Sequence, residues 1–174
     1  MKVLVLSGRF GMGHEMAANA ICEQFRKIDE QAEIEKKDLL EELYPHISKF
    51  IFGAFRMMVE HCYGIYNFIY KMSGRMKVEM KPRGKAIYKK LKKIMDREQP
   101  DVIVCTHPVC VKAIASYKER TGLKTPLVTC ITDISMHPEW TAPQTDIYLA
   151  PTQEIKRHLM KEGTRAEDIL VTGI

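Results

Sequence analysis

Three short stretches hold the residues best suited to chemistry: GRFGMGH ending at His14, THPVC containing His107, and TDISMHPEW, which runs through Asp133 and His137 to Trp140. Each contains a histidine. His14 is expected in the first turn of a helix, where the dipole disfavours positive charge and keeps an imidazole neutral. A neutral imidazole can take a proton, so His14 is a candidate general base for activating a hydroxyl. Gly11 and Gly13 let a substrate approach the backbone closely. The alternative is a ring that merely hydrogen-bonds a neighbouring loop. Asp133 ends a strand and either orients a histidine or caps a turn. Trp140 is the only tryptophan. It is either a core plug or an amphipathic contact with a lipid or sugar, and its loop position favours contact.

Other uses of these residues fit less well. A dinucleotide fingerprint requires G-x-G-x-x-G, and Met16 stands where the third glycine belongs. Asp38 could still serve as the ribose-binding acid, so the match is partial. No G-K-[ST] follows for a phosphate loop of the Walker type. Cys105, His107 and Cys110 form C-x-H-x-x-C, but Cys105 ends a buried strand, where a free cysteine is common. No metal site is expected.

The elements that must position these loops are legible from patterning. Val3–Leu6 is a continuous apolar run, as in a strand buried on both faces. A helix follows from His14 to Ile28, then a strand over Ala32–Lys37. Leu43, Ile47, Phe50, Ala54 and Met58 begin a broad apolar helical stripe that runs past Gly64 to Tyr70. A further helix begins at Pro82. Then come a strand at Val102–Thr106, a helix after Pro108, a strand through TPLVTCIT, a strand at Asp146–Ala150, a helix at Thr152–Glu162 and a last strand at Ile169–Thr172. Alternation of this kind predicts an α/β fold with a parallel sheet covered by helices on both faces. Functional loops then lie at the carboxyl ends of the strands, where all three histidine loops fall.

The 174 residues suffice for one domain, with 45% hydrophobic residues. The amino-terminal apolar run is too short for a signal peptide. The five cysteines form no C-x-x-C pair, which suits a reducing compartment, so a cytoplasmic location is expected. Net charge is +5, yet Lys71–Lys93 alone carries ten Lys/Arg and one acid. Such a run is either a solvated helix face or a surface that meets something anionic. Nucleic acid is not expected, because no aromatic-basic motif accompanies it.

Taken in order, G-x-G-H with two alanines shortly after, THP after a strand, TD…HP.W and a terminal VTGI resemble the diacylglycerol glycosyltransferases. That group includes monogalactosyldiacylglycerol synthase and the bacterial processive diacylglycerol glucosyltransferases. The resemblance implies a Rossmann-like domain forming the N-terminal half of a GT-B enzyme over residues 1–174. This half would meet membrane and lipid acceptor and bind no cofactor, with the UDP-sugar held by a C-terminal half absent from the chain. It implies His14 as base for a glycerol hydroxyl attacking the anomeric carbon with inversion, Asp133 as its helper, and Gly11, Gly13, His107, His137 and Trp140 near the acceptor.

With that resemblance, the middle of the chain reads as a bilayer-facing surface. Tyr44–Tyr70 holds eight of the fourteen aromatics, and the basic run follows directly. An apolar helix beside a cationic one suits an anionic membrane. Phe52, Met57 and Phe68 are expected to insert, and Arg75, Lys77, Lys81 and Arg83 to attract the headgroups, placing the protein on the inner face of the cell membrane. The competing assignment for the stripe is packing against the sheet. Three other functions fit less well: the enzyme that makes lipid II, a lipid-binding module without chemistry, and a dinucleotide domain.

Overall fold

The structure is a computed structural model that describes residues 1–61, 84–135 and 137–173. Its centre is a six-stranded parallel sheet in the order β2-β1-β3-β4-β5-β6. The strands are β1 (Lys2–Ser7), β2 (Glu33–Asp38), β3 (Val102–Cys105), β4 (Leu127–Cys130), β5 (Ile147–Ala150) and β6 (Ile169–Val171). The helices are α1 (Met12–Ile28), α2 (Leu39–Leu43), α3 (Ser48–His61), α4 (Lys85–Glu98), α5 (Pro108–Thr121) and α6 (Gln153–Lys161).

Strand β1 is apolar over Val3–Leu6 because both of its faces are covered. Val3 and Val5 pack with Ala18 and Cys22 of α1. Leu4 and Leu6 point the opposite way, into a larger core with Leu39, Leu91, Val111 and Ile114. Successive side chains of a strand alternate between faces, so the two layers follow directly from the run of four. Register is continuous across the centre, with Val3 opposite Ile34 on one side and Val102 on the other.

Helix ends follow local chemistry. Asp38 accepts the Glu41 N–H at 2.9 Å and caps α2. His107 caps α5, with Pro108 at its first position, and Gly122 closes it at φ 72°. The stripe expected to run unbroken from Leu43 is divided. Helix α2 ends at Leu43, with Tyr44 as its cap, and α3 begins at Ser48, because Pro45 has no N–H to continue the ladder. The remainder of that stripe, and the start of the helix at Pro82, lie outside the described residues. The other elements match the patterning to within a few residues.

Candidate functional site

The sheet changes direction at its middle. The chain runs from β1 outward to β2, then crosses back to place β3 on the other side of β1. At such a switch point the loops after the two central strands part and leave a crevice at their carboxyl ends. The loop after β1 leads into α1, which carries His14. The loop after β3 is Thr106-His107, and the loop after β4 starts at Ile131. All three meet around His14.

The His14 ring is half-buried, and its Nδ1 has two neighbours. The Thr106 carbonyl oxygen is 2.9 Å away and the Thr132 Oγ1 2.7 Å away. A carbonyl can only accept, so the proton of a neutral ring resides on Nδ1 and is shared between the two oxygens. Nε2 then keeps its lone pair. The helical turn that holds the ring is fastened as well. Thr106 Oγ1 donates to the His14 carbonyl at 3.0 Å and sits 3.0 Å from Ser7 Oγ, which itself lies 3.2 Å from that carbonyl. Burial lowers the His14 pKa below the usual histidine value, opposed in part by the Asp133 charge and the Thr106 carbonyl. The imidazole is therefore neutral at neutral pH, the state a proton acceptor needs.

His107 lies edge-on to His14, with ring centroids 4.5 Å apart. It is only 7% exposed, and its Nδ1 accepts the Val109 N–H at 3.2 Å. Burial, with the neighbouring His14, pushes its pKa down to about 3. His107 is thus a neutral wall of the site that also starts α5. Cys105 and Cys110 beside it are buried thiols with raised pKa values. Cys110 Sγ donates to the Ser7 carbonyl at 3.3 Å.

The third loop differs from its expected role. The Asp133 carboxylate accepts the Trp140 Nε1–H at 2.7 Å. It acts on His14 through space, while Thr106 and Thr132 make the hydrogen bonds to that ring. Trp140 was expected to contact acceptor or lipid, but it is 0% exposed and packs in the main core. The reason is a short 3-10 turn, Pro138–Trp140, that folds the indole inward. His137 is half-buried and caps that turn, its Nδ1 accepting the Glu139 N–H at 3.4 Å.

Gly11 and Gly13 are exposed at the mouth of the site. Gly11 borders a groove of about 700 Å³, lined also by Arg9, Met12, Glu15, Phe52, Phe55 and Arg56. Phe10 packs edge-on against Phe52 and Phe55, each at 5.2 Å, and lies 5.3 Å from the His107 ring. Phe52, expected to be free for insertion, is committed to Phe10 and half-buried. Met57 is 63% exposed, and Phe50 on the same helix is 77% exposed. Phe68, Arg75, Lys77, Lys81 and Arg83 lie outside the described residues. Patterning passed over Thr106 and Thr132 because threonine at a strand end reads as β-propensity. The usable signal was a hydroxyl at the tip of each strand whose loop faces a histidine.

A parallel sheet of this order, with helices on both faces and loops meeting at its switch point, defines a Rossmann-like α/β domain. Among solved structures, the apo form of the lipopolysaccharide outer core galactosyltransferase WaaB is similar in fold. Its TM-score is 0.58 at 15% identity, over 98% of this chain and 45% of that one. The chain belongs to the monogalactosyldiacylglycerol (MGDG) synthase family, whose model matches residues 14–174. It is 27% identical to the processive diacylglycerol beta-glucosyltransferase of Bacillus subtilis (strain 168), over 99% of this chain and 45% of that protein. Against the enzyme of the same name from Staphylococcus haemolyticus (strain JCSC1435), identity is 26% over 99% of this chain and 44% of that protein. The chain thus spans less than half the length of the curated relatives it matches.

Proposed function

We propose that this chain is the acceptor-binding part of an enzyme that moves a hexose from a UDP-sugar to diacylglycerol, with inversion at the anomeric carbon. The observation that carries the reading is the tautomer of His14. With Nδ1–H engaged by the Thr106 carbonyl and the Thr132 hydroxyl, Nε2 is left to take the proton of a glycerol hydroxyl. As that O–H bond breaks, the oxygen forms its bond to the anomeric carbon. The bond from that carbon to UDP breaks on the opposite face, and UDP leaves with the electron pair. The names and the extent of the relatives support a donor site formed by other parts of the complete enzyme.

Membrane seating belongs to the same reading. Phe50 and Met57 are exposed on one side of α3, at the i, i+7 spacing of one helical stripe. Among the described residues no helix is long and apolar enough to cross a bilayer; in this reading α3 lies on the inner leaflet, and the basic run of 71–93 draws the protein to anionic headgroups.

The test is turnover of UDP-glucose and UDP-galactose by the complete polypeptide, with diacylglycerol vesicles. His14→Ala should lower turnover by roughly 100-fold or more. Near-normal turnover would overturn the role of His14. Better use of a polyprenyl-linked acceptor than of diacylglycerol would overturn the acceptor class.

A further inference from the structure

We infer that Thr132 is a positioning residue for His14, holding its ring through the 2.7 Å contact between Oγ1 and Nδ1. This rests on the reading of His14 as the base. The contact joins residues 118 positions apart in the chain, so no local turn or cap requires it. The other described threonine hydroxyls divide between distant partners, as at Thr106, Thr125 and Thr129, and nearby structure. Thr121 Oγ1 donates to the Tyr117 carbonyl four residues earlier in its own helix, and Thr152 caps α6. Among the described residues, the Thr132 hydroxyl has His14 as its partner.

The backbone on either side of Thr132 is pinned. Ile131 before it is buried, and its N–H is bonded to the Leu149 carbonyl at 2.9 Å. Asp133 after it is tied to the buried Trp140 indole at 2.7 Å. Farther along, Lys112 Nζ holds the Thr141 carbonyl at 2.8 Å. A hydroxyl on a segment fixed at both neighbours is preorganised, so little entropy is lost when it orients a partner. The Thr106 carbonyl by itself leaves the ring free to tilt about a single hydrogen bond. A second oxygen on the same N–H fixes the ring plane and therefore the direction of the Nε2 lone pair. General-base transfer depends on that direction, and small misplacements of a catalytic group are costly.

The experiment uses the complete polypeptide carrying Thr132→Val, which keeps the branched shape and removes the hydroxyl, and Thr132→Ser, which keeps the hydroxyl. Steady-state kinetics and the downfield proton resonance of the His14 Nδ1–H are measured together. The expected result for Thr132→Val is a fall in kcat of about tenfold, with KM within about twofold, and an upfield move of that resonance. Thr132→Ser should recover most of the kcat and the original resonance. An unmoved resonance in Thr132→Val, a kcat near that of the parent, or equal loss in both variants would overturn the inference. Loss of turnover in His14→Ala alongside an unaffected Thr132→Val rejects the positioning role and leaves the base in place. Normal turnover in His14→Ala removes the base, and with it the catalytic use of the contact, whatever the resonance does.

Discussion

Thr106 holds His14 at both ends of the residue. Its carbonyl accepts the ring Nδ1–H at 2.9 Å, and its hydroxyl donates to the His14 backbone carbonyl at 3.0 Å. One residue of the β3 loop thus sets the tautomer of the ring and fastens the helical turn that presents it. Thr106→Val retains the first grip and removes the second. The expected cost is about 1 kcal/mol of stability, the usual net worth of one hydrogen bond. Urea denaturation measures it, and Thr106→Ser should restore the loss.

Stability should fall in acid because of the paired histidines. Burial depresses the pKa of both, to about 3 for His107. In the unfolded chain each returns to the ordinary value of 6.5. As pH drops through 6.5 the unfolded state takes up protons that the folded state refuses, so the stabilisation present above that pH is progressively lost. The slope approaches about 1.4 kcal/mol per pH unit for each group, and the His107 contribution continues to about pH 3. His107→Asn preserves an acceptor for the α5 cap and should flatten this acid limb. Urea midpoints taken between neutral pH and pH 4.5 would show it.

The two glycines before His14 should respond in opposite ways to alanine. Gly11 has φ 109° and ψ 157°, a region that essentially only glycine occupies. Gly11→Ala is expected to cost about 1–3 kcal/mol or to shift the first turn of α1. Gly13 is helical, and a Cβ there would meet nothing within 4 Å, so Gly13→Ala should be neutral or stabilising by up to about 1 kcal/mol. A Gly13→Ala protein that is stable yet slow would locate the acceptor against that backbone. Thermal melts and turnover on the same samples separate the two effects.

Trp140 and Met57 should exchange the roles that residue type alone suggests. Trp140→Phe removes the N–H that holds the Asp133 carboxylate, at about 1.5–3 kcal/mol for a bond to a charged group, and should leave vesicle binding unchanged. Met57→Asp should leave stability nearly unchanged, since the side chain is exposed, and weaken binding to anionic vesicles. Flotation with anionic and neutral vesicles over a salt series would check both. Weakened flotation of Trp140→Phe would return the indole to the surface.

Much of the sheet was readable because burial on two faces leaves an unmistakable apolar run, as at Val3–Leu6 and Val102–Cys105. The place of His14 in the first turn of α1 was readable too, since a histidine after two glycines is an unusual start to a helix. The grips of Thr106 and Thr132 were not. They depend on strand order, which brings residues 14, 106 and 132 together, and no local pattern records that order. Trp140 was misjudged for a related reason. Loop position argues for exposure, but a single 3-10 turn is enough to invert the ring.

The parallel order of the strands also dictates when the site comes into being. The partners of His14 lie 92 and 118 residues farther along the chain. Closing such long loops is slow and requires the central strands to have assembled. A folding intermediate holding only β1, α1 and β2 would carry the histidine with neither of its holders. The two contacts that hold the His14 ring therefore require β3 and β4 to be in place, and partial opening of either region would release the ring.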